Sequence, residues 1–132
     1  MKSLKVVDAL WVGLGGACGG VARYWVGDAL DGDFPWGILA CNLLGSLLLI
    51  GVVTVERRLH RGVVHFKAIG FCGSFTTVST FSLQTVEMIR EGAIGRASLY
   101  LSVSVLGAML LIFFGRWLMI RLSPESWHGE AN

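Results

Sequence analysis

Hydrophobic residues fill four long stretches of the chain, and polar residues are concentrated in the short segments between them. The stretches span residues 6–26, 36–55, 66–89 and 97–120. A helix needs about 20 mostly apolar residues to cross the roughly 30 Å hydrocarbon core of a bilayer, and each stretch is about that long. The pattern therefore predicts an all-α membrane protein in which four transmembrane helices form one domain, residues 1–132.

Composition agrees with this class. The chain of 132 residues is 54% hydrophobic and 15% charged, which is too apolar for a soluble domain of this size. The first stretch has full length and no following cleavage pattern, so we expect a mature helix and not a signal peptide. The remaining segments are too short for a catalytic domain, and no basic patch alternates with aromatics as nucleic-acid binding requires. We expect a multi-pass protein that acts within the bilayer and is not an enzyme.

Lysine and arginine residues favour one side of the predicted bundle. Four helices put both termini and the 56–65 loop on that side, which carries eight of these residues against three opposite. The eight are Lys2, Lys5, Arg57, Arg58, Arg61, Lys67, Arg116 and Arg121, and the three are Arg23, Arg90 and Arg96. The positive-inside rule then predicts cytoplasmic termini, although the bias is moderate because some of these residues fall within helices.

Two glycine pairs in the first helix, Gly15/Gly19 and Gly16/Gly20, have a spacing of four residues. Glycines at this spacing form a groove into which another helix backbone can pack. Three cysteines inside the predicted helices lack metal-ligand spacing, and we interpret them as small packing residues. They are Cys18, Cys41 and Cys72.

Polar side chains inside the first two helices have two interpretations each. Arg23 lies beside Tyr24 and Trp25 near a helix end, where it either snorkels to the interface or attracts anions into a water-filled vestibule. Asn42 is a strongly polar residue in the middle of the second stretch. Its amide needs a partner at that depth, which is either another helix or a permeating species.

The third stretch is unusually polar. From Gly73 to Thr85, eight of thirteen side chains are hydroxyls or amides. A continuous helix is possible, because Ser and Thr can bond back to the preceding turn, but a broken helix is favoured. Non-helical backbone at membrane depth survives where it lines a cavity or an ion site, and the freed carbonyls at such a break suit a cation such as sodium.

The fourth stretch places Tyr100, Ser104 and Gly107 on one face, either as interhelical contacts or as one wall of a polar path. A different class, the small multidrug exporters that exchange protons for bulky cations, is also built from four helices. That mechanism needs a carboxylate deep in the first helix. Asp8 lies close to the helix edge, so the exporter is the weaker alternative.

Three motifs resemble those of the small fluoride channels, also known as camphor-resistance proteins. They are GGACGG at 15–20 with Arg23 following, NLLGS at 42–46 and GSFTTVSTFS at 73–82. The resemblance implies a fluoride-selective channel that exports cytoplasmic fluoride passively across the bacterial cytoplasmic (inner) membrane and confers fluoride resistance. It also implies an antiparallel, dual-topology homodimer with a structural sodium ion at the interface.

The resemblance assigns roles to residues of this chain. The carbonyls of Gly73 and Thr76 are expected to hold sodium, and Arg23 is expected to line the vestibule. Hydrogen-bond donors must replace the water that fluoride holds tightly, and the positive edges of aromatic rings can face an anion. The expected pore residues are Asn42, Val78, Ser79, Phe81, Ser82, Tyr100 and Ser104.

Two positions depart from the family pattern. Val78 stands where the family has a phenylalanine, which leaves Phe81 as the remaining ring of a pair, and Gln84 stands where a glutamate is usual. The valine is compatible with an altered pore, with an engineered substitution, or with a non-conducting subunit paired with a different, intact partner. A conducting homodimer is the favoured prediction.

Overall fold

The computed structural model describes residues 5–56 and 59–122, which are helical with no β-sheet in those ranges. The all-α prediction is therefore confirmed. We number five helices in chain order: α1 (Val6–Leu30), α2 (Trp36–Val55), α3 (61–75), α4 (Val78–Arg90) and α5 (Ile94–Leu122). Within α3, the middle section His65–Cys72 is a π-helix between two short α-helical pieces, Arg61–Val64 and Gly73–Phe75.

Two of these helices are long and apolar enough to cross a membrane. They are Trp36–Val55, which is α2, and Ile94–Arg121, which covers nearly all of α5. Helix α1 is long, but its glycines add little hydropathy and it carries charged residues. Helices α3 and α4 are each shorter than a membrane span.

Helix ends differ from the ends of the hydrophobic stretches. The second stretch matches α2, whereas α1 continues to Leu30, α3 begins at Arg61 and α5 begins at Ile94. Charged residues have ordinary helix propensity, so a helix does not stop where hydrophobicity stops. The last turn of α1 is closed by a 2.8 Å hydrogen bond from the Asp31 amide to the Gly27 carbonyl.

Helix α3 packs backbone to backbone against α1. A Cβ atom added at Gly15 would collide with the carbonyl oxygen of Phe66, and one at Gly19 would collide with that of Phe71. On the facing side, a Cβ at Gly70 would lie 2.9 Å from the Cα of Gly15. The groove predicted from the glycine spacing is confirmed, and α3 of the same chain fills it.

The apolar core is centred on Tyr100, which has no exposed surface and packs with Leu39, Met88 and Ala97. This core joins α2, α4 and α5. The cysteines divide between core and surface. Cys41 and Cys72 are buried as predicted, whereas Cys18 is exposed on α1, so its interpretation as a packing residue is wrong for the single chain.

Candidate functional site

The helical backbone is interrupted between α3 and α4. Thr76 (φ −83°, ψ 154°) and Thr77 (φ −152°, ψ 126°) are both extended. The Thr77 hydroxyl accepts a 3.2 Å hydrogen bond from the Thr80 amide and so caps the amino end of α4. The polar sequence therefore forms two helices joined by a short extended link.

Asn42 of α2 holds this link in place. Its Nδ2 donates to the Thr77 carbonyl at 3.1 Å, and its Oδ1 accepts from the Thr77 amide at 2.8 Å. One side chain thus satisfies both backbone groups of a non-helical residue, as backbone away from water requires. The amide also has a second N–H, which this pairing does not use.

The interruption leaves the carbonyls at the end of α3 without their regular helical donors, those of Gly73 and Thr76 among them. In a continuous helix the Gly73 carbonyl would accept from the amide of Thr77, and the Thr76 carbonyl from that of Thr80. Both amides donate elsewhere, to Asn42 and to the Thr77 hydroxyl. The carbonyls of Gly73 and Thr76 therefore lose their regular helical donors, and such oxygens are ligands that suit a hard cation.

An open cleft of about 480 Å³ lies beside the break. Six residues singled out from the sequence line it, namely Asn42, Gly73, Thr76, Val78, Phe81 and Ser104. The Ser104 hydroxyl is buried and has no hydrogen-bond partner within residues 5–56 and 59–122. It is therefore an unpaired donor in a residue that lines the cleft.

The other predicted site residues lie around this cleft. Ser79 and Ser82 are exposed on α4. Tyr100 is buried behind Phe81, with ring centroids 5.1 Å apart. Arg23 lines a second cavity of about 520 Å³.

A hydrogen-bonded chain around Asp31 was not predicted from the sequence. Asp31 Oδ1 accepts from the Gly37 amide at 2.7 Å, and Asp31 Oδ2 accepts from Gln84 Nε2 at 3.2 Å. Gln84 Oε1 in turn accepts from the Tyr100 hydroxyl at 2.8 Å. The N-cap of α2 is Pro35, so Asp31 stands too far ahead of the helix for the usual capping pattern, and nothing in the sequence pairs it with Gln84.

Asp8 lies in the first turn of α1, close to the helix end as predicted, and its side chain is buried. Its carboxylate forms a 2.8 Å ion pair with Arg61, and His65 Nδ1 lies 3.2 Å from its other oxygen. A carboxylate paired with an arginine differs from the free, protonatable acid on which a proton-coupled exporter depends. The pairing argues against the exporter alternative.

Together these features define a small all-α membrane protein with a polar helix break at the wall of an open cleft. Residues 10–116 match the model of the family described as "CrcB-like protein, Camphor Resistance (CrcB)", and the chain belongs to this family. The resemblance found in the sequence is thereby confirmed.

Similar proteins come from several bacteria. A "Fluoride-specific ion channel FluC" of Methylocella silvestris is 37% identical over 126 residues, which cover 89% of this chain and 96% of the relative. A "Fluoride-specific ion channel FluC 2" of Listeria innocua is 38% identical over 114 residues, covering 81% and 86%. These relatives are ion channels by name, a transport class and not an enzyme class.

Proposed function

We propose that this chain forms a fluoride-selective channel that lets fluoride leave the cytoplasm by passive electrodiffusion. The observation that carries the proposal is the cleft at the break, where Asn42 fixes the Thr77 backbone and Ser104 offers a hydroxyl that has no partner among the described residues. Relatives named as fluoride-specific channels support the choice of ion. The pore requires no covalent chemistry.

The fold of the channel has four membrane spans. Helices α1, α2 and α5 each form one, and α3 and α4 together form the third, which is therefore a broken helix. The extended backbone at Thr76 and Thr77 supports this arrangement, because non-helical backbone is tolerated within a membrane where it faces a cavity.

The fluoride path follows the cleft and the exposed face of α4. Hydrogen-bond donors replace the water shell of the ion: the second N–H of Asn42 and the hydroxyls of Ser79, Ser82 and Ser104. Arg23 attracts the anion into its own cavity, which serves as the vestibule.

Aromatic residues complete the path. Phe81 presents a ring edge, the positive part of the aromatic quadrupole, to the anion. Tyr100 supports that ring from behind, and Val78 narrows the path with an alkyl group where a second ring is absent. A pore of this kind discriminates through its width and its donors.

A structural sodium ion at the subunit interface is held by the carbonyls of Gly73 and Thr76. Their loss of helical donors supports this site. So does the open surface at Gly73, where an added Cβ would meet no atom of the described residues within 4 Å. Sodium would lock the break in its extended form and would take no part in moving fluoride.

Two copies of the chain, inserted in opposite orientations, form the channel as an antiparallel homodimer in the bacterial cytoplasmic membrane. Val78 is 78% exposed on the single chain, and the cleft beside it is open on one side, so a second copy is suited to close it. The lysine and arginine bias of eight against three favours one orientation and so fits the alternative of two different subunits in fixed orientations. It is moderate because some of these residues fall within helices, and we favour the homodimer.

Efflux from liposomes tests the function. Purified protein is reconstituted into potassium-loaded vesicles, valinomycin is added to remove the electrical block, and external fluoride is recorded with a selective electrode. We expect rapid fluoride efflux, no chloride efflux, and loss of conduction in Asn42→Asp, which keeps the acceptor for the Thr77 amide but replaces the N–H donors with a negative charge.

Absence of efflux from a folded wild-type dimer would contradict a conducting homodimer. Val78→Phe then separates the two explanations. Recovery of efflux would indicate a pore disabled by the valine, and continued absence would indicate a subunit that needs a different partner.

A further inference from the structure

The Asp31, Gln84 and Tyr100 side chains form a relay that connects the α1–α2 loop with α4 and α5. Asp31 is held at its loop end by the Gly37 amide, and Tyr100 is enclosed in the core. Gln84 lies between them and accepts one hydrogen bond while donating the other. The relay therefore has a polarity, which depends on which group donates at each step.

Asp31 sets this polarity. An ionised carboxylate can only accept hydrogen bonds, so it takes the N–H of the Gln84 amide. The amide oxygen then faces the opposite way, where it accepts the hydroxyl proton of Tyr100. A neutral amide at position 31 would accept from the Gly37 amide with its oxygen and present its NH₂ to Gln84. The Gln84 oxygen would then accept from residue 31, and the Gln84 NH₂ would donate to the Tyr100 hydroxyl.

The far end of the relay lies against the candidate ion path. The Tyr100 ring packs on Phe81 at 5.1 Å and on Phe34 at 5.5 Å, with interplanar angles of 54° and 81°. Phe81 is one of the residues that line the cleft. A reversed relay would leave the single O–H of the buried Tyr100 without its acceptor, which is costly in an enclosed site.

We propose that Asp31 is a positioning residue for ion conduction: its carboxylate orients Gln84, which fixes the Tyr100 hydroxyl and thereby the ring of Phe81 beside the path. This inference rests on the proposed channel function. The role is specific to this chain, because a glutamate is usual at position 84. Here position 84 is a neutral glutamine, and the negative charge beside it belongs to Asp31 in the loop.

Charge exchange between these two positions tests the relay. Asp31→Asn keeps the acceptor for Gly37 but reverses the polarity, and Gln84→Glu places two carboxylates against each other. In the double variant the amide at position 31 donates to the carboxylate at 84, which again accepts from Tyr100. We expect fluoride efflux to fall about fivefold in each single variant, the effect of one net hydrogen bond, and to recover in the double variant.

A matched control is Asp33→Asn in the same loop. The backbone carbonyl of Asp33 accepts a 2.9 Å hydrogen bond from Arg96, and the substitution leaves that bond in place. The substitution removes one negative charge, as Asp31→Asn does. We expect efflux at the wild-type level. Equal losses in Asp33→Asn and Asp31→Asn would mean that loop charge alone matters, and would overturn the proposal.

A spectroscopic readout separates the relay from the channel function. The chain has two tyrosines, so in a Tyr24→Phe background the infrared C–O stretch of ring-labelled tyrosine reports Tyr100 alone. We expect the C–O stretch to show that the Tyr100 hydroxyl donates to residue 84 in the wild-type protein and in the double variant. In Asp31→Asn it should show that the hydroxyl accepts a hydrogen bond from Gln84.

The two readouts fail in different ways. Wild-type protein without fluoride efflux would reject the proposed function, and the spectra would still show whether Asp31 sets the hydroxyl. An unchanged spectrum in Asp31→Asn, or a changed spectrum with wild-type efflux, would overturn the positioning role. Efflux in the double variant no higher than in the singles would do the same.

Discussion

Helices α3 and α4 lie on either side of one break, but different forces hold them. Helix α3 is pressed into the glycine groove of α1 and tied to Asp8 through Arg61. Helix α4 leaves Val78 and the neighbouring serines exposed. The contrast shows that the chain on one side of the break is fixed by contacts within the subunit, whereas the chain on the other side leaves its surface uncovered.

The largest expected effect is on the α3 side. Gly19→Ala places a Cβ against the Phe71 carbonyl, and rigid backbone on both sides leaves no room for it. We expect the free energy of unfolding in detergent to fall by at least about 2 kcal/mol. Gly13→Ala is the control, because its Cβ would meet no atom within 4 Å in residues 5–56 and 59–122, and it should be neutral or stabilising. Equal stability of the two variants would contradict the groove.

At the break itself the expected effect is smaller. Thr77→Val removes the hydroxyl that caps α4 and should cost about 1 kcal/mol of unfolding free energy. Thr77→Ser keeps the cap and should retain most of the stability. Chemical unfolding curves of the two variants measure the difference, and a valine variant as stable as the serine variant would exclude a capping role.

On the cleft side, function should change more than stability. Ser104→Ala removes a buried hydroxyl without a partner among the described residues, so unfolding free energy should be unchanged or should rise by up to about 1 kcal/mol. Fluoride efflux should nevertheless fall severalfold, because the path loses a donor. Ser102→Ala, at an exposed position outside the cleft lining, should leave efflux unchanged. A stability loss without an efflux loss would identify Ser104 as a packing residue.

The smallest stability effect is expected at the exposed end of α4. Val78→Phe should change the unfolding free energy of the subunit by no more than about 0.5 kcal/mol. A second ring edge beside Phe81 should raise fluoride efflux modestly. Val86→Phe, at another exposed valine of α4, serves as the control. Lower efflux in Val78→Phe alone would mean that the valine is suited to this pore.

Local patterns in the sequence predicted much of the fold. The apolar stretch 36–55 coincides with α2, and the spacing of Gly15 and Gly19 identified the surface that receives α3. Both depend on short-range periodicity, which the chain carries explicitly. The polarity of 73–85 likewise marked the region in which the backbone becomes extended.

Long-range pairings could not be predicted in the same way. Asp31 and Gln84 are separated by 53 residues, as are Asp8 and Arg61, and each pair depends on how the helices pack. The place of Asp8 near the end of α1 could be predicted from the sequence, whereas its burial could not. The signal in the sequence was that Asp8 is a single carboxylate within the apolar stretch 6–26. A buried charge requires a partner of opposite charge, so a basic partner for Asp8 could have been expected.

The reversal potential of single channels in planar bilayers tests fluoride selectivity at the break. With a fluoride gradient against symmetrical chloride, we expect currents that reverse at the fluoride equilibrium potential and disappear in Asn42→Asp. Currents that reverse at the chloride or cation equilibrium potential, or a folded dimer that never conducts, would contradict a fluoride-selective path at the break between α3 and α4.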